Sequence, residues 1–212
     1  MKITVFGATG MVGKRIVGHA LAKGFHVTAF GRNTDQLIDR DQRDDNLTAV
    51  KGYVFDEDDV AAAIRGADGV LSVLGGGIDG SDKTRSLGIK NIIKQMEKTG
   101  VKRIVALGGM GVLNANENQY LLDTPGYPSQ YKAVGQEHLL AFLYLQASSL
   151  EWSFVCAPDI LDADATGRYV TSKDYPPQPN HYQVTAGDLA EFMINELNTQ
   201  QYIYHRAGIS RS

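Results

Sequence analysis

Cysteine is almost absent from this 212-residue chain, and the single Cys156 excludes an intramolecular disulfide and any zinc site built on several cysteines. That usage fits a reducing compartment. Long apolar runs are missing as well. No stretch of about 18 apolar residues occurs, so no segment reads as a membrane-spanning helix. The opening MKITVFGATG has one lysine and an apolar run that stops at Gly7, too short for the core of a secretory signal. The chain therefore reads as beginning with a strand, in the cytoplasm. Charge of one sign is also lacking. Lys and Arg number 21 against 24 Asp and Glu, a formal charge of −3, which argues against a surface that coats nucleic acid. A local basic spot for one phosphate is compatible with that balance. The five histidines are scattered without metal-binding spacing. There is no Gly-x-Ser-x-Gly and no defensible carboxylate pair. Hydrophobic residues at 43% and charged residues at 21% are ordinary for one globular domain spanning 1–212.

Glycine is what the chain has in excess, with 23 copies. They gather at residues 7–13, 75–80 and 108–111, where apolar runs end. Short apolar runs at 2–6, 26–30, 47–55, 69–74, 102–107 and 152–156 read as six strands. Amphipathic stretches at 11–23, 56–65, 81–99 and 129–147 read as helices, with Gly24 and Gly100 where C-caps belong. Nearly all-apolar strands alternating with helices predict a parallel sheet buried on both faces. The expected fold is a single-domain, three-layer α/β/α, doubly wound (Rossmann) sheet of strand order 3-2-1-4-5-6. Two stretches break the rhythm, residues 111–128 and 157–183. Both leave the carboxyl ends of strands, the edge where open α/β sheets bind ligands. Tyr120, Tyr127, Tyr131, Tyr169, Tyr175 and Tyr182 in or beside them favour a packed substrate-side wall over disordered loops.

The most informative motif is Gly7-Ala8-Thr9-Gly10-Met11-Val12-Gly13, between the first strand and the first helix. Gly7 permits the sharp turn, Gly10 leaves room for a pyrophosphate, and Gly13 permits close helix–strand packing. The helix amino end then offers free N–H groups to phosphates. Such a turn predicts dinucleotide binding. At the end of the second strand an NAD site calls for Asp or Glu, and this chain has Arg32 instead, so NADP(H) is favoured over NAD. Asp56, after the third strand, suits either a bond to the adenine amino group or a helix N-cap. Asp188 reads as a cap of the last helix. Cys156 reads as a small core residue, and His181 as a solvated loop residue.

With those pieces in view, the chain resembles the atypical short-chain dehydrogenase/reductases with a single NAD(P)-binding domain. Within them it resembles the biliverdin-reductase-B/flavin-reductase-like and NmrA-like group. The matching segments are GATGMVG (7–13), FGRN (30–33), Asp56, GVLSVLG (69–75), RIVALGGMGV (103–112), SLEWSFVCAPDI (149–160), TGRYV (166–170) and VTAGDLAEFMINEL (184–197). The resemblance implies that Gly7, Thr9, Gly10, Met11 and Val12 line the pyrophosphate and that Arg32 meets the 2′-phosphate. It implies that Asp56 lies near adenine and that Leu74 and Gly75 flank the adenosine ribose. Gly108 and Gly109 would lie under the nicotinamide, with Ala157 and Pro158 on its carboxamide side.

The departures concern catalysis. Members of the larger group carry Ser at the end of the fifth strand and Tyr-x-x-x-Lys in the next helix. Here Gly108-Gly109 replaces the Ser, Lys132 follows Tyr131 directly, and Gly135 stands where the Lys belongs. Neighbouring helical residues point about 100° apart, so Tyr131 and Lys132 cannot act as the usual pair. They are still the candidates for holding the nicotinamide ribose or donating to a substrate. Hydride transfer to a ring that accepts electrons readily needs mainly two rings held close together. The expected function is an NADPH-dependent oxidoreductase acting on a flat acceptor such as a flavin or quinone. The alternative is a non-catalytic NADP(H) sensor of the NmrA-like kind. No exposed heptad demands a dimer, so monomer and homodimer both fit.

Overall fold

Lys2–Phe6, KITVF, is rich in β-branched residues and forms β1, with its last four residues buried. The structure, a computed structural model, describes residues 1–37 and 44–212. β1 is followed by α1 (Met11–Ala22), β2 (His26–Gly31), β3 (Leu47–Lys51), α2 (Glu57–Ile64), β4 (Gly69–Ser72), α3 (Thr84–Thr99) and β5 (Arg103–Gly109). A small hairpin, β6 (Asn114–Asn116) and β7 (Gln119–Tyr120), precedes α4 (Lys132–Gln146). The chain closes with β8 (Glu151–Ala157), β9 (Asp159–Leu161), β10 (Tyr169–Lys173), β11 (Gln183–Thr185), α5 (Ala186–Thr199) and β12 (His205–Arg211).

The main sheet has eight strands in the order β10-β12-β8-β5-β4-β1-β2-β3. From β3 to β8 this is the expected 3-2-1-4-5-6 order, all parallel. Two further strands extend it: β12 pairs parallel with β8, and β10 pairs antiparallel with β12 at the edge. The segment 157–183, expected as a loop, thus contains β9 and β10. The sequence hid β12 because HRAGISR is interrupted by Gly208 and carries Arg206, yet Arg206 through Ser210 are buried.

Period-two alternation sends successive side chains to opposite faces. Val105 joins a core under α1 and α5 with Ile16, Leu189 and Met193, whereas Ile104 and Ala106 join a core under α2, α3 and α4 with Ile64, Ile92 and Phe142. These are the two outer layers. The expected 129–147 helix is split: Ser129–Tyr131 is a 3-10 turn and α4 starts at Lys132.

Asp188 is not the cap of α5. Thr185 caps it, its hydroxyl accepting from the Asp188 N–H at 3.0 Å. The buried Asp188 carboxylate reaches across instead and accepts from the Thr166 N–H, the Thr166 hydroxyl and the Gly167 N–H at 2.7–2.8 Å. Burial pushes this carboxyl up, but those bonds outweigh it and hold it below the usual carboxylate range.

At the edge of the sheet opposite the strands' carboxyl ends, Arg103 and Glu196 form a buried ion pair at 3.2 Å. Glu196 also accepts from the Ser153 hydroxyl and the Tyr202 N–H, both at 2.8 Å, tying α5 to β8 and to the turn before β12. Removing one member of a buried pair strands the other charge. Glu196→Ala is therefore expected to cost roughly 3–5 kcal/mol of unfolding free energy in denaturant titration. Ligand affinity of the folded fraction should be unchanged, because the pair lies far from the strand carboxyl ends.

Candidate functional site

The turn after β1 is built by close approach. Gly7 has φ +81°, and a Cβ there would stand 2.5 Å from the Val73 carbonyl oxygen. A Cβ on Gly13 would stand 2.1 Å from the Gly7 carbonyl oxygen. The Gly10 N–H donates to the Gly7 carbonyl at 3.0 Å and closes the turn. Gly10 is the N-cap of α1 without a side-chain bond, and the first turn holds no acidic residue. The positive end of the helix is left for an external anion.

Above this turn lies a cavity of about 520 Å³. Gly7, Thr9, Gly10, Met11 and Val12 form its floor, and Arg32 stands at the end of β2. Leu74 and Gly75 follow β4, Gly108 and Gly109 end β5, and Ala157 and Pro158 end β8. The cavity brings together every expected coenzyme residue except Asp56. The Asp56 carboxylate caps α2, accepting from the Asp58 and Asp59 N–H groups at 2.9 Å, and is not among the lining residues. This is one of the two roles the sequence allowed it.

Residues not foreseen complete the wall. Tyr53 and Phe55, exposed after β3, offer aromatic faces beside Arg32. Arg85, in the first turn of α3, donates to the carbonyls of Gly77 and Gly76 at 2.8 and 3.0 Å and stiffens the glycine loop after β4. The cavity fits a pyridine dinucleotide: a glycine-rich cradle on a helix amino end, a cation after β2, and aromatic surface for a base.

A second cavity of about 630 Å³ adjoins the first and shares Gly109, His138, Ala157 and Pro158 with it. Residues of both irregular segments line it. Leu121, Thr124 and Tyr127 come from the first, and Gln178, Asn180 and Tyr182 from the second, with Met110 and Tyr131 flanking the first. Burial pushes the Tyr127 phenol up, so it stays protonated at neutral pH. Tyr131 reaches this cavity, but Lys132, exposed at the start of α4, lines neither. The usual Tyr–Lys geometry is not formed. His181 is exposed and also lines neither cavity. Cys156 is fully buried and its thiol is pushed up by burial, which makes it a core residue.

At the seam of the two cavities stands His138. A Cβ on Gly109 would lie 2.9 Å from its Cδ2 and 3.4 Å from its Nε2, so the imidazole occupies the space beside Gly109 that a side chain there would need. Its Nδ1 is buried and has no hydrogen-bond partner among the described residues. Burial, reinforced by the charge of Arg85, holds its pKa down at about 3. The ring is therefore neutral at physiological pH, a hydrogen-bonding group and not a reservoir of ionisable protons. The sequence signal was helical spacing. Tyr131, Val134, Gly135 and His138 recur at i, i+3, i+4 and i+7, and all four line the second cavity. Scattered in sequence, the histidine gave no motif.

A histidine kept neutral by folding makes stability fall with acid. Below its unfolded pKa of about 6.5 the unfolded chain binds a proton that the folded chain refuses until about pH 3. His138→Gln should remove that component. Relative to wild type, its unfolding free energy between pH 6 and 4 should decline less steeply, by up to about 1.4 kcal/mol per pH unit. Parallel pH profiles of the two proteins would count against a neutral buried imidazole.

Similar proteins share this architecture. A solved structure from Burkholderia pseudomallei, described as a candidate exported protein, is 31% identical, superposes with a TM-score of 0.83, and covers 99% of each chain. One from Streptococcus pneumoniae, described as a candidate NADH-flavin reductase, is 25% identical with a TM-score of 0.83 over the whole of both chains. YwnB of Bacillus subtilis, an uncharacterized protein, is 28% identical over 180 residues, 82% of this chain and 80% of its own. Among the described residues no helix is long and apolar enough to cross a membrane. The sequence pattern of the NAD(P)H-binding family matches residues 7–200, from the first glycine of the turn to the end of α5, and the chain belongs to that family.

Proposed function

We propose that the protein is an NADPH-dependent oxidoreductase that reduces a flat acceptor such as a flavin or quinone, in the cytoplasm. One observation carries the reading. The dinucleotide cavity and the second cavity meet at a shared wall of Gly109, His138, Ala157 and Pro158, so two ligands can be held in contact. The Streptococcus pneumoniae relative described as a candidate NADH-flavin reductase supports the same chemistry.

In this reading Gly7 through Val12 hold the pyrophosphate and Arg32 pairs with the 2′-phosphate. Tyr53 and Phe55 cover the adenine, and Leu74 and Gly75 border its ribose. Gly108 and Gly109 leave the β5 end flat beneath the nicotinamide, while Ala157 and Pro158 border the carboxamide. The bound coenzyme supplies hydride. The chain's own residues position the acceptor and exclude water from the seam. Tyr131 faces the acceptor cavity and can orient a polar group there. Lys132 lines neither cavity and is given no part in that role. The missing Ser and Tyr-x-x-x-Lys leave no relay of the usual kind, and an acceptor whose reduced form is stabilised by its own ring system does not need one.

Two measurements test the reading. Oxidation of NADPH, followed by the absorbance of the reduced nicotinamide, should proceed with at least one member of a panel of flavins and quinones. Tight NADPH binding with no turnover across the panel would favour the non-catalytic sensor. For the coenzyme preference, Arg32→Ala should weaken NADPH binding by about 1.5–3 kcal/mol in calorimetric titration and leave NADH nearly unchanged. Equal losses for the two would remove the case for NADP.

A further inference from the structure

We propose that the second cavity selects an uncharged planar carbonyl compound, a quinone or an unphosphorylated flavin, and discriminates against acceptors that carry phosphate, sulfonate or carboxylate groups. This rests on the reading of that cavity as the acceptor site. Its lining contains aromatic and apolar surface from Tyr127, Tyr131, Tyr182 and Met110, which suits a flat ring. Among the described residues, no lysine or arginine lines it. Of the cations around it, Lys132, next to Tyr131 in sequence, is exposed and lines neither cavity, and two arginines are committed elsewhere. Arg85 is bonded to the Gly76 and Gly77 carbonyls on the dinucleotide side. Arg206 is bonded to Asp174, to the Val112 carbonyl and to the Asn114 side chain.

The charge the cavity does carry is negative. Asp159, at the start of β9, lines it and has no ion-pair partner within 4.0 Å among the described residues. An anionic acceptor would lose water without gaining a cation and would face this carboxylate. The remaining polar groups are neutral: the amides of Gln178 and Asn180, the tyrosine hydroxyls and the His138 ring. Nδ1 of His138, buried and unpartnered, is best left as a lone pair, which puts the ring proton on Nε2, the nitrogen nearer Gly109 at the seam. A neutral N–H at that point matches a carbonyl oxygen.

Riboflavin and flavin mononucleotide share one ring system and differ by a phosphate, so they isolate the charge. Titrated by flavin fluorescence into the wild-type protein saturated with oxidised coenzyme, riboflavin should bind at least about tenfold more tightly, a gap that narrows as salt rises. A naphthoquinone and its sulfonate, compared by kcat/KM, should show the same order. Asp159→Asn should shrink the riboflavin preference and Asp159→Lys should reverse it. A variant effect that weakened both flavins equally would mark Asp159 as merely structural and overturn its role. If flavin mononucleotide binds as tightly as riboflavin and both are turned over, the selectivity is wrong while the oxidoreductase reading stands. If none of the four compounds binds or reacts, both fall together.

Discussion

The close passage of α1 over the end of β1 is the constraint on which the site depends. Gly7 and Gly13 bring backbone to backbone at distances that no side chain tolerates. The amino end of α1 is thereby pressed to the centre of the sheet, directly beyond β1, between β2 and β4. In a doubly wound sheet the connections diverge from this point, leaving a crevice outside the strand carboxyl ends. Arg32, Leu74 and Gly109 reach that crevice because their strands pair in register with β1 or with its neighbour β4. A helix amino end without an acidic residue or side-chain cap keeps its donors available at the place where every strand points.

A wall around the second cavity requires that long irregular segments be held in place, and polar anchors hold them. Arg206 on β12 reaches the Val112 carbonyl ahead of the small hairpin and Asn114 at its start, while its guanidinium lies over the rings of Phe142 and Tyr120. Its Asp174 partner also meets His205 through a 2.6 Å contact. Asp188 fastens Thr166 and Gly167 from α5. Each anchor joins a segment of high sequence separation to a strand or helix of the core. Each is buried or half-buried, where hydrogen bonds to charged groups are stronger than on the surface. Local sequence does not reveal them, because the partners lie far apart along the chain.

That difference explains what could be read from the residues alone. The parallel strands β1, β2, β4, β5 and β8 were legible because burial on both faces favours apolar runs, the edge strand β3 was legible despite its exposure, and their order followed from the alternation with helices. The glycine turn was legible because its spacing encodes a steric requirement. β12 was not, since a buried arginine and a mid-strand glycine disguise a strand whose charges are neutralised by distant partners. Nor was β10, which sits inside a proline-rich segment. Asp56 could be narrowed to two roles but not to one, because an N-cap and a ligand contact call for the same side chain at the same place. Lys132 was nominated by type, and its neighbour relation to Tyr131 already implied that one of the two would face away.

His138 shows why the second cavity was hardest to read. At the position where the larger group has serine, this chain has glycine, and the structure supplies a reason: a β-carbon on Gly109 would run into the imidazole. Gly109 on β5 and His138 on α4 pack against each other as one unit. The exchange alters what the seam can offer. A hydroxyl can donate and accept at once, whereas a neutral imidazole presents one donor edge and one acceptor edge fixed by its tautomer. Burial holds the ring uncharged although His138 still lines both cavities. The seam therefore offers a hydrogen-bonding group in place of a titrating one, with charge supplied to the linings by Arg32 and Arg85 on one side and Asp159 on the other.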